Sequence, residues 1–401
     1  MDKANTVPVL YSSKDRCCGC GACLNICPRH AIAMKEDELG FLYPEIREDL
    51  CVRCGLCKKV CAFQNRQEES VPLACCAAVN KDKETLKYSA SGGVFHALAL
   101  DTIEKDGVVY GAAFTDDWSV CHTSGEEIRQ IGRLQGSKYA HSDTGRTFSE
   151  AKKMLEEGRS VLFSGTPCQI AGLRAFLGRD YDNLLTVDIV CHGVPAAAML
   201  QGYIKHLEEK WGASVTAFTF RDKSLGWGKN GSVVFEGKIG KKKLWQSDSA
   251  YLYYFAKGWI FRKNCYECKY TSRYRPGDLT IGDFWGIEKQ HPDYLGKRGW
   301  DESKGISFVF ASTDKGLSAL DRLSDRMDMK PATFEEIAAG NGQLRHPSEK
   351  GPRDEILAVY KEGGWEALEK RFYEKTGLRR HSSFIKSLIP SGIKRAIKSR
   401  K

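Results

Sequence analysis

The chain has 401 residues, 42% hydrophobic and 28% charged, room for two or three domains with sizeable cores. No apolar run reaches the roughly 18 residues of a membrane span, and the start, MDKANTVPVLYSSKDRCC, has no apolar secretory segment; 16 cysteines in such a chain point to the cytoplasm and to metal ligands rather than disulfides. The net charge is +10, but eight Lys or Arg and no acid fall in residues 379–401, leaving +2 elsewhere, which gives no support for a basic nucleic-acid-binding core.

In chain order, residues 1–66 hold nine cysteines and form the first expected domain. The polar segment QNRQEES (64–70) reads as a linker. Residues 71–150 mix helix and strand: SASGGVFHALALDTIEKDG (89–107) is a helix stopped by glycine, and VVYGAAF (108–114) is a strand. A second unit, 151–320, begins with a short helix at AKKMLEEG. RSVLFSG (159–165) then runs into a turn and helix at TPCQIAGLRAFLG, and LLTVDIVCHG (184–193) repeats that form before VPAAAMLQGYIKHLEEKWG. This alternation predicts parallel α/β packing. SVTAFTF and GSVVFEGKIGKKKLWQ read as antiparallel strands, and SAYLYYFAKGWIF (249–261) as an aromatic helix. Residues 321–401 are expected to be helical, ending in a basic tail. The fold class is thus α+β in the N-terminal domain and mixed α/β beyond it.

The most specific pattern is Cys17-x2-Cys20-x2-Cys23-x3-Cys27-Pro28, repeated as Cys51-x2-Cys54-x2-Cys57-x3-Cys61. In such pairs three cysteines wrap one cubane, and the fourth starts a helix and crosses to the other. Cys17, Cys20, Cys23 and Cys61 are therefore expected to hold one [4Fe–4S] cluster, and Cys51, Cys54, Cys57 and Cys27 a second. Zinc fits this spacing poorly, since it needs four ligands and usually two CxxC pairs. The segment resembles a bacterial two-cluster ferredoxin. Ala62 stands where the second run often has proline, without consequence for ligation, and Cys18 reads as a spare thiol.

Cys168 and Cys191 each follow a predicted strand, where α/β sheets place their sites. A helix N-terminus at Cys168 favours its thiolate. With the Cys265-x2-Cys268 knuckle they can enclose a third [4Fe–4S] cluster. The residues leave alternatives open: a structural zinc on the same four thiolates, a Cys168 nucleophile with His192 as base, or plain buried thiols. The last two give the knuckle no role.

SGTPCQIAGLRAFL (164–177), Cys-His-Gly-Val-Pro (191–195), FRDKSLGW (220–227) and CYECKYTSRYRPGDLTIGDFWGI (265–287) resemble the coenzyme F-420 hydrogenase/dehydrogenase beta-subunit family. SASGGVFHALAL and GSKYAHSDTG (136–145) are similar to its N-terminal domain. The resemblance implies an oxidoreductase holding FAD beside iron–sulfur clusters and exchanging electrons with a two-electron partner, either coenzyme F-420 or another organic substrate. A plant relative reduces 7-hydroxymethyl chlorophyll a, so the family shares a redox engine and not one substrate. It also favours the third cluster over zinc. The competing function is an electron-transfer subunit of a larger complex with no substrate of its own; a binding module with zinc and clusters but no turnover is a third reading.

No GxGxxG lies at a strand–helix junction. Ser89, Ser91, Gly92 and Gly93 precede an apolar helix and can cradle the FAD pyrophosphate, or merely cap the helix. Gly136, Ser137, Lys138 and Tyr139 match the family's GSKY stretch, with Lys138 expected beside the flavin. Thr166 and Gln169, with Pro167, flank Cys168 and are expected to orient cluster and flavin. His192 is the candidate proton relay. Arg221, Lys223 and Arg273 are candidates for gripping an anionic substrate or the acidic tail of F-420. Asp283 and Trp285 match the family, and Trp285 is expected beside the cofactor or in a structural role. The expected partners are a ferredoxin-like or other redox protein and a small-molecule substrate. The tail SFIKSLIPSGIKRAIKSRK (383–401) reads either as solvated chain or as a peripheral contact with an anionic membrane surface.

Overall fold

The computed structural model describes residues 6–65, 70–245 and 247–377. The basic tail, and most of the expected linker, lie outside these described residues.

In the N-terminal unit each CxxC loop turns on a glycine with left-handed φ, Gly21 or Gly55, into a short helix, Ala22–Ile26 or Leu56–Lys59. The fourth cysteine of each run therefore follows a helix instead of starting one: Cys27 is the C-cap of the first, and Cys61 lies just beyond the second. Between the runs, β1 (Ile32–Glu36) and β2 (Leu42–Ile46) pair antiparallel. Neither strand was expected, since Pro44 and the charged positions obscure any alternation.

The body is one eight-stranded mixed sheet. Its strands are β3 (Ala74–Asn80), β4 (Val108–Phe114), β5 (Val120–Gly125), β6 (Val161–Gly165) and β7 (Leu184–Ile189), as well as three described below. A separate antiparallel sheet carries β8 (Val215–Asp222), β9 (Asn230–Phe235) and β10 (Gly240–Trp245), as expected from their alternation. The main sheet is completed by β11 (Leu279–Asp283), β12 (Ser307–Ala311) and β13 (Met327–Pro331), in the order β13-β3-β12-β11-β7-β6-β4-β5. Strands β4, β6, β7 and β11 run parallel, and β5, β12, β3 and β13 add by antiparallel pairing. The sheet thus draws strands from both sides of the expected boundary at residue 150, and β13 from the C-terminal region expected to be helical.

β6 is followed at once by the helix Pro167–Leu177, opened by a Thr166–Gln169 capping box and ended by Gly178 in the left-handed region. Its apolar face, with Ile170, Leu173 and Phe176, packs on the buried Phe163 and Phe148. The expected aromatic helix is shorter, Ala250–Lys257, because Gly258 (φ 72°) stops it. It packs with Tyr203 and Trp365 in a core beneath β8 and β9.

The N-terminal unit docks on this body through backbone contacts. The Thr144 hydroxyl donates to the Cys20 carbonyl (3.0 Å), Asn25 Nδ2 to the Gly145 carbonyl (2.8 Å), and Arg146 to the Leu24 carbonyl (2.8 Å). A Cβ on Gly172 would lie 2.8 Å from Cys20 Sγ, so the helix and the first cysteine loop meet at glycine distance. Among the described residues, no helix is long and apolar enough to cross a membrane.

Candidate functional site

Three groups of thiols form. Cys17, Cys23 and Cys61 lie within electrostatic reach of one another, and Cys20 neighbours the buried Cys18. Cys27, Cys51, Cys54 and Cys57 line one small cavity with Pro28 and Gly55. The second set lies toward the surface, with Cys54 exposed.

Cys168, Cys191, Cys265 and Cys268 also come together, although they stand up to 100 residues apart in the chain. Burial pushes the Cys191 thiol up to about 12, and neighbouring Cys168 and Cys268 act in the same direction. Cys268 is pushed up to about 11, again by burial first. Buried thiols with no cation bonded to each would stay protonated and inert, whereas a bound metal centre deprotonates its ligands. Among the described residues no three His, Cys, Asp or Glu side chains converge on a single-ion site; the thiols neighbour one another without meeting at one point.

The knuckle segment is bolted down on both sides. Before it, Arg262 donates to the carbonyls of Cys17 (2.9 Å) and Leu42 (2.7 Å) and reaches Cys17 Sγ at 3.6 Å. After it, Lys269 donates to the carbonyls of Ala62 (2.6 Å), Phe63 (3.1 Å) and Asn65 (3.3 Å). The buried pair Arg275–Asp188 ties the following loop to β7, just below Cys191. Arg262 is 0% exposed and has no carboxylate partner among the described residues. A buried guanidinium needs a counter-charge. The net negative charge of a thiolate-ligated cubane at Cys17 fits that need.

On the other side of the Cys168 turn lies a cavity of about 520 Å³, within the usual range for cofactor and substrate sites. It opens at the carboxyl ends of β6, β7 and β11, where open α/β sheets bind ligands. The helix Val94–Ile103 points its N-terminus into it from a Gly93 N-cap, leaving first-turn N–H groups for an anionic ligand. Three buried polar atoms of lining residues have no partner among the described residues: Ser91 Oγ, Arg221 Nε and Asn230 Oδ1. Such orphans are costly unless a ligand meets them, so the cavity suits a polar molecule.

Of the residues singled out from sequence, Ser89, Ser91, Gly93, Gly136, Ser137, Lys138, Thr166, Gln169, His192 and Arg221 line this cavity. Gly92 does not: its N–H is taken by Ser307 Oγ (2.8 Å), and a Cβ there would lie 2.2 Å from the Ala78 carbonyl. Lys138 donates to the carbonyls of Arg133 (2.9 Å) and Gln135 (2.7 Å), and burial lowers its pKa to about 7. His192 faces the cavity with its pKa lowered by the enclosing protein, so it is mostly neutral at pH 7. Gln169 Oε1 accepts from the Thr166 N–H (2.9 Å), while Nε2 donates to the Ser142 carbonyl (2.9 Å). The Thr166 hydroxyl also lies 3.2 Å from Cys168 Sγ.

The expected anion grip looks different. Arg221 is held bidentate by Asp283 (2.8 and 3.0 Å) and touches Tyr139 Oη, leaving only Nε uncommitted. Lys223 is absent from the cavity wall; it donates to the carbonyls of Leu86 (2.7 Å) and Ser91 (2.6 Å) and so fixes the approach to the helix. Arg273 lies outside the cavity as well, paired with Glu335 over the Phe334 ring. Asp283 also accepts from Trp227 Nε1 (2.8 Å), and Trp227 stacks on Trp285 with ring centroids 4.3 Å apart. Trp227 closes the FRDKSLGW stretch without having been singled out, while Asn230, His122 and Arg262 have no signal in sequence; the fold alone brings these three in.

Residues 158–336 match the family model for the C terminus of the coenzyme F420 hydrogenase/dehydrogenase beta subunit. Residues 16–65 match a 4Fe-4S dicluster domain. An iron-sulfur subunit of the CoB–CoM heterodisulfide reductase of Methanocaldococcus jannaschii is 25% identical over 147 residues, covering 31% of this chain and 22% of that protein; the chain thus matches less than a quarter of that relative's length. One polypeptide of the F420-reducing [NiFe] hydrogenase complex from Methanosarcina barkeri overlays 76% of this chain and 93% of its own length, with 21% identity and a TM-score of 0.45.

Proposed function

For a chain that carries a 4Fe-4S dicluster domain and the C-terminal domain of the F420 hydrogenase/dehydrogenase beta-subunit family, and is therefore an iron–sulfur protein of oxidoreductase type, we propose a flavin-linked enzyme. It passes electrons between a redox-protein partner, its thiol-bound [4Fe–4S] clusters and a small organic molecule, either coenzyme F-420 or another two-electron substrate. The single observation that carries this reading is the position of Thr166: it lines the cavity and its hydroxyl touches Cys168. One residue therefore contacts both the grouped thiols and the space that suits a flavin.

In this reading the twelve cysteines at 17, 20, 23, 27, 51, 54, 57, 61, 168, 191, 265 and 268 hold three clusters. Ser91 and the helix N-terminus after Gly93 receive the flavin's phosphates, with Gly136 and Ser137 completing that wall. A flavin converts single electrons into pairs, which clusters alone cannot do. Lys138, half-charged at neutral pH, supplies positive charge at the cavity wall. His192, neutral and facing the cavity, is placed to take or give a proton as the substrate gains or loses its electron pair. Arg221 orients Asp283, and substrate specificity falls to Asn230 and the Trp227–Trp285 stack. The exposed Cys54, with Arg29 on the same small cavity and the exposed Lys58 and Lys59 in the helix that follows, supports entry of electrons from an acidic protein.

The name of the heterodisulfide reductase relative describes one part of a larger redox assembly, which favours the second reading, an electron-transfer subunit without its own substrate. Anaerobically purified chain decides between them. Flavin bleaching by dithionite, followed by reoxidation with F-420 or another small acceptor, is the expected result. Cluster reduction with no bound flavin after reconstitution would leave only the carrier role.

A further inference from the structure

Between the first and third thiol groups lies a side chain that neither group uses. Tyr270 is 1% exposed and follows Cys268 by two residues. Its ring packs against Ala62, the neighbour of Cys61, against Ala171 of the helix Pro167–Leu177, and against Cys168 and Cys268. Its hydroxyl has no hydrogen-bond partner among the described residues. Four thiols lie within electrostatic reach of that hydroxyl: Cys18 and Cys20 on the side of the first group, Cys168 and Cys268 on the side of the third. Cys18, buried beside them, lies within electrostatic reach of both Cys20 and Cys168. The gap between the two groups is therefore filled by this phenol and this thiol.

A buried hydroxyl without a partner is costly, and native proteins keep one where something absent from the polypeptide meets it. Aromatic packing alone would be served equally by phenylalanine. Here the surrounding atoms are sulfurs, and sulfur in a cluster or its ligands accepts hydrogen bonds that raise the reduction potential. We infer that Tyr270 is a positioning residue for electron transfer: its hydroxyl donates a hydrogen bond to a sulfur of the third cluster, at the side facing the first, and stabilises the reduced form of that cluster. It does so without ligating iron. The inference rests on the reading of Cys168, Cys191, Cys265 and Cys268 as a cluster site.

The experiment is an EPR-monitored redox titration of the anaerobically reconstituted full chain, with iron counted on each sample. The third-cluster signal is identified as the one lost in Cys168→Ser. In Tyr270→Phe, iron content is expected to match the parent and the third-cluster potential to move to more negative values, with the Cys51-side cluster unmoved. Incorporation of 3-fluorotyrosine at position 270, which makes a stronger donor and keeps the ring, is expected to move it the other way, and this variant decides the matter if Tyr270→Phe loses its clusters. No shift in either variant, an equal shift of every cluster, or a shift confined to the first cluster would overturn the inference. A parent chain holding only about eight irons would overturn it by removing the site it rests on; about twelve irons with no shift would overturn it alone.

Discussion

Arg262 concentrates the argument at the level of single residues. Its guanidinium is buried, bonded to two carbonyls and Cys17 Sγ, and stacked on Tyr43 at 3.9 Å. A cluster at Cys17 would balance this charge, so the charge should also favour the cluster's more negative, reduced state. Arg262→Leu is expected to destabilise the loaded protein by about 3–5 kcal/mol, the cost of leaving one partner of a buried pair alone, and to move the first cluster's potential down. Denaturant midpoints and a redox titration check this; an unchanged potential would mean that the arginine serves the backbone carbonyls only. A second residue-level expectation concerns acid. His122 is buried, bonded to Ser142 Oγ (2.8 Å) and the Ser164 carbonyl (3.0 Å), with its pKa lowered to about 4 by burial. Below pH about 6.5 the unfolded chain takes a proton there that the folded chain refuses. Stability therefore falls as pH drops, by about 2 kcal/mol at pH 5 for this ring. His122→Gln should flatten that part of the stability–pH curve, and an unchanged slope between pH 7 and 5 would contradict the assignment.

At the scale of elements, the helix Pro167–Leu177 ties the molecule together. Its capping box faces the cavity, Cys168 sits in its first turn, and Gly172 meets the first cysteine loop. Gly172→Val should force that loop away and cost about 1–3 kcal/mol of overpacking, seen as a lower Tm and easier loss of iron from the first group. An unchanged Tm would show that the loop has room to move. This helix was legible in the sequence because Thr-Pro opens it, glycine closes it and a β-branched run precedes it. The β1–β2 pair, β5 and β13 were not, because their residues alternate weakly and their pairing partners are distant: β13 joins β3 across almost 250 residues. The dicluster character of the first domain was legible from spacing alone, because its cysteines are local in sequence. The third group could only be suspected, since three separated segments supply it and the cations that bring them together, Arg262, Lys269 and Arg275, look like ordinary surface charges in sequence. The same limit explains Arg221, Lys223 and Arg273. Their charge suggested a grip on an anion, but the fold commits the first to Asp283, the second to carbonyls and the third to Glu335.

For the whole molecule, the thiol groups form a series from an exposed end to a cavity. At the exposed end, Cys54 is accompanied by apolar Val52 (58% exposed) and Leu56 (39% exposed). Arg29 lines the same small cavity as Cys54, and the exposed Lys58 and Lys59 follow in the helix Leu56–Lys59, with Glu48 and Asp49 the nearest acids in sequence. Exposed apolar side chains with exposed basic ones close by in the chain suit an acidic partner whose approach is steered by charge. Lys58→Glu with Lys59→Glu should slow reduction by an acidic ferredoxin about tenfold or more at low salt, with the gap narrowing as salt is added. Reduction by dithionite should be unaffected. Equal rates with ferredoxin for parent and variant would move the entry point elsewhere. At the other end, the cavity is where a pair of electrons would leave.

The central claim, three clusters wired to a flavin, is tested most directly by iron, zinc and flavin analysis of one anaerobically purified sample. About twelve irons and one FAD per chain are predicted. About eight irons with one zinc would leave the N-terminal unit intact and break the wire at Cys168, and the absence of flavin after reconstitution would contradict the proposed enzyme.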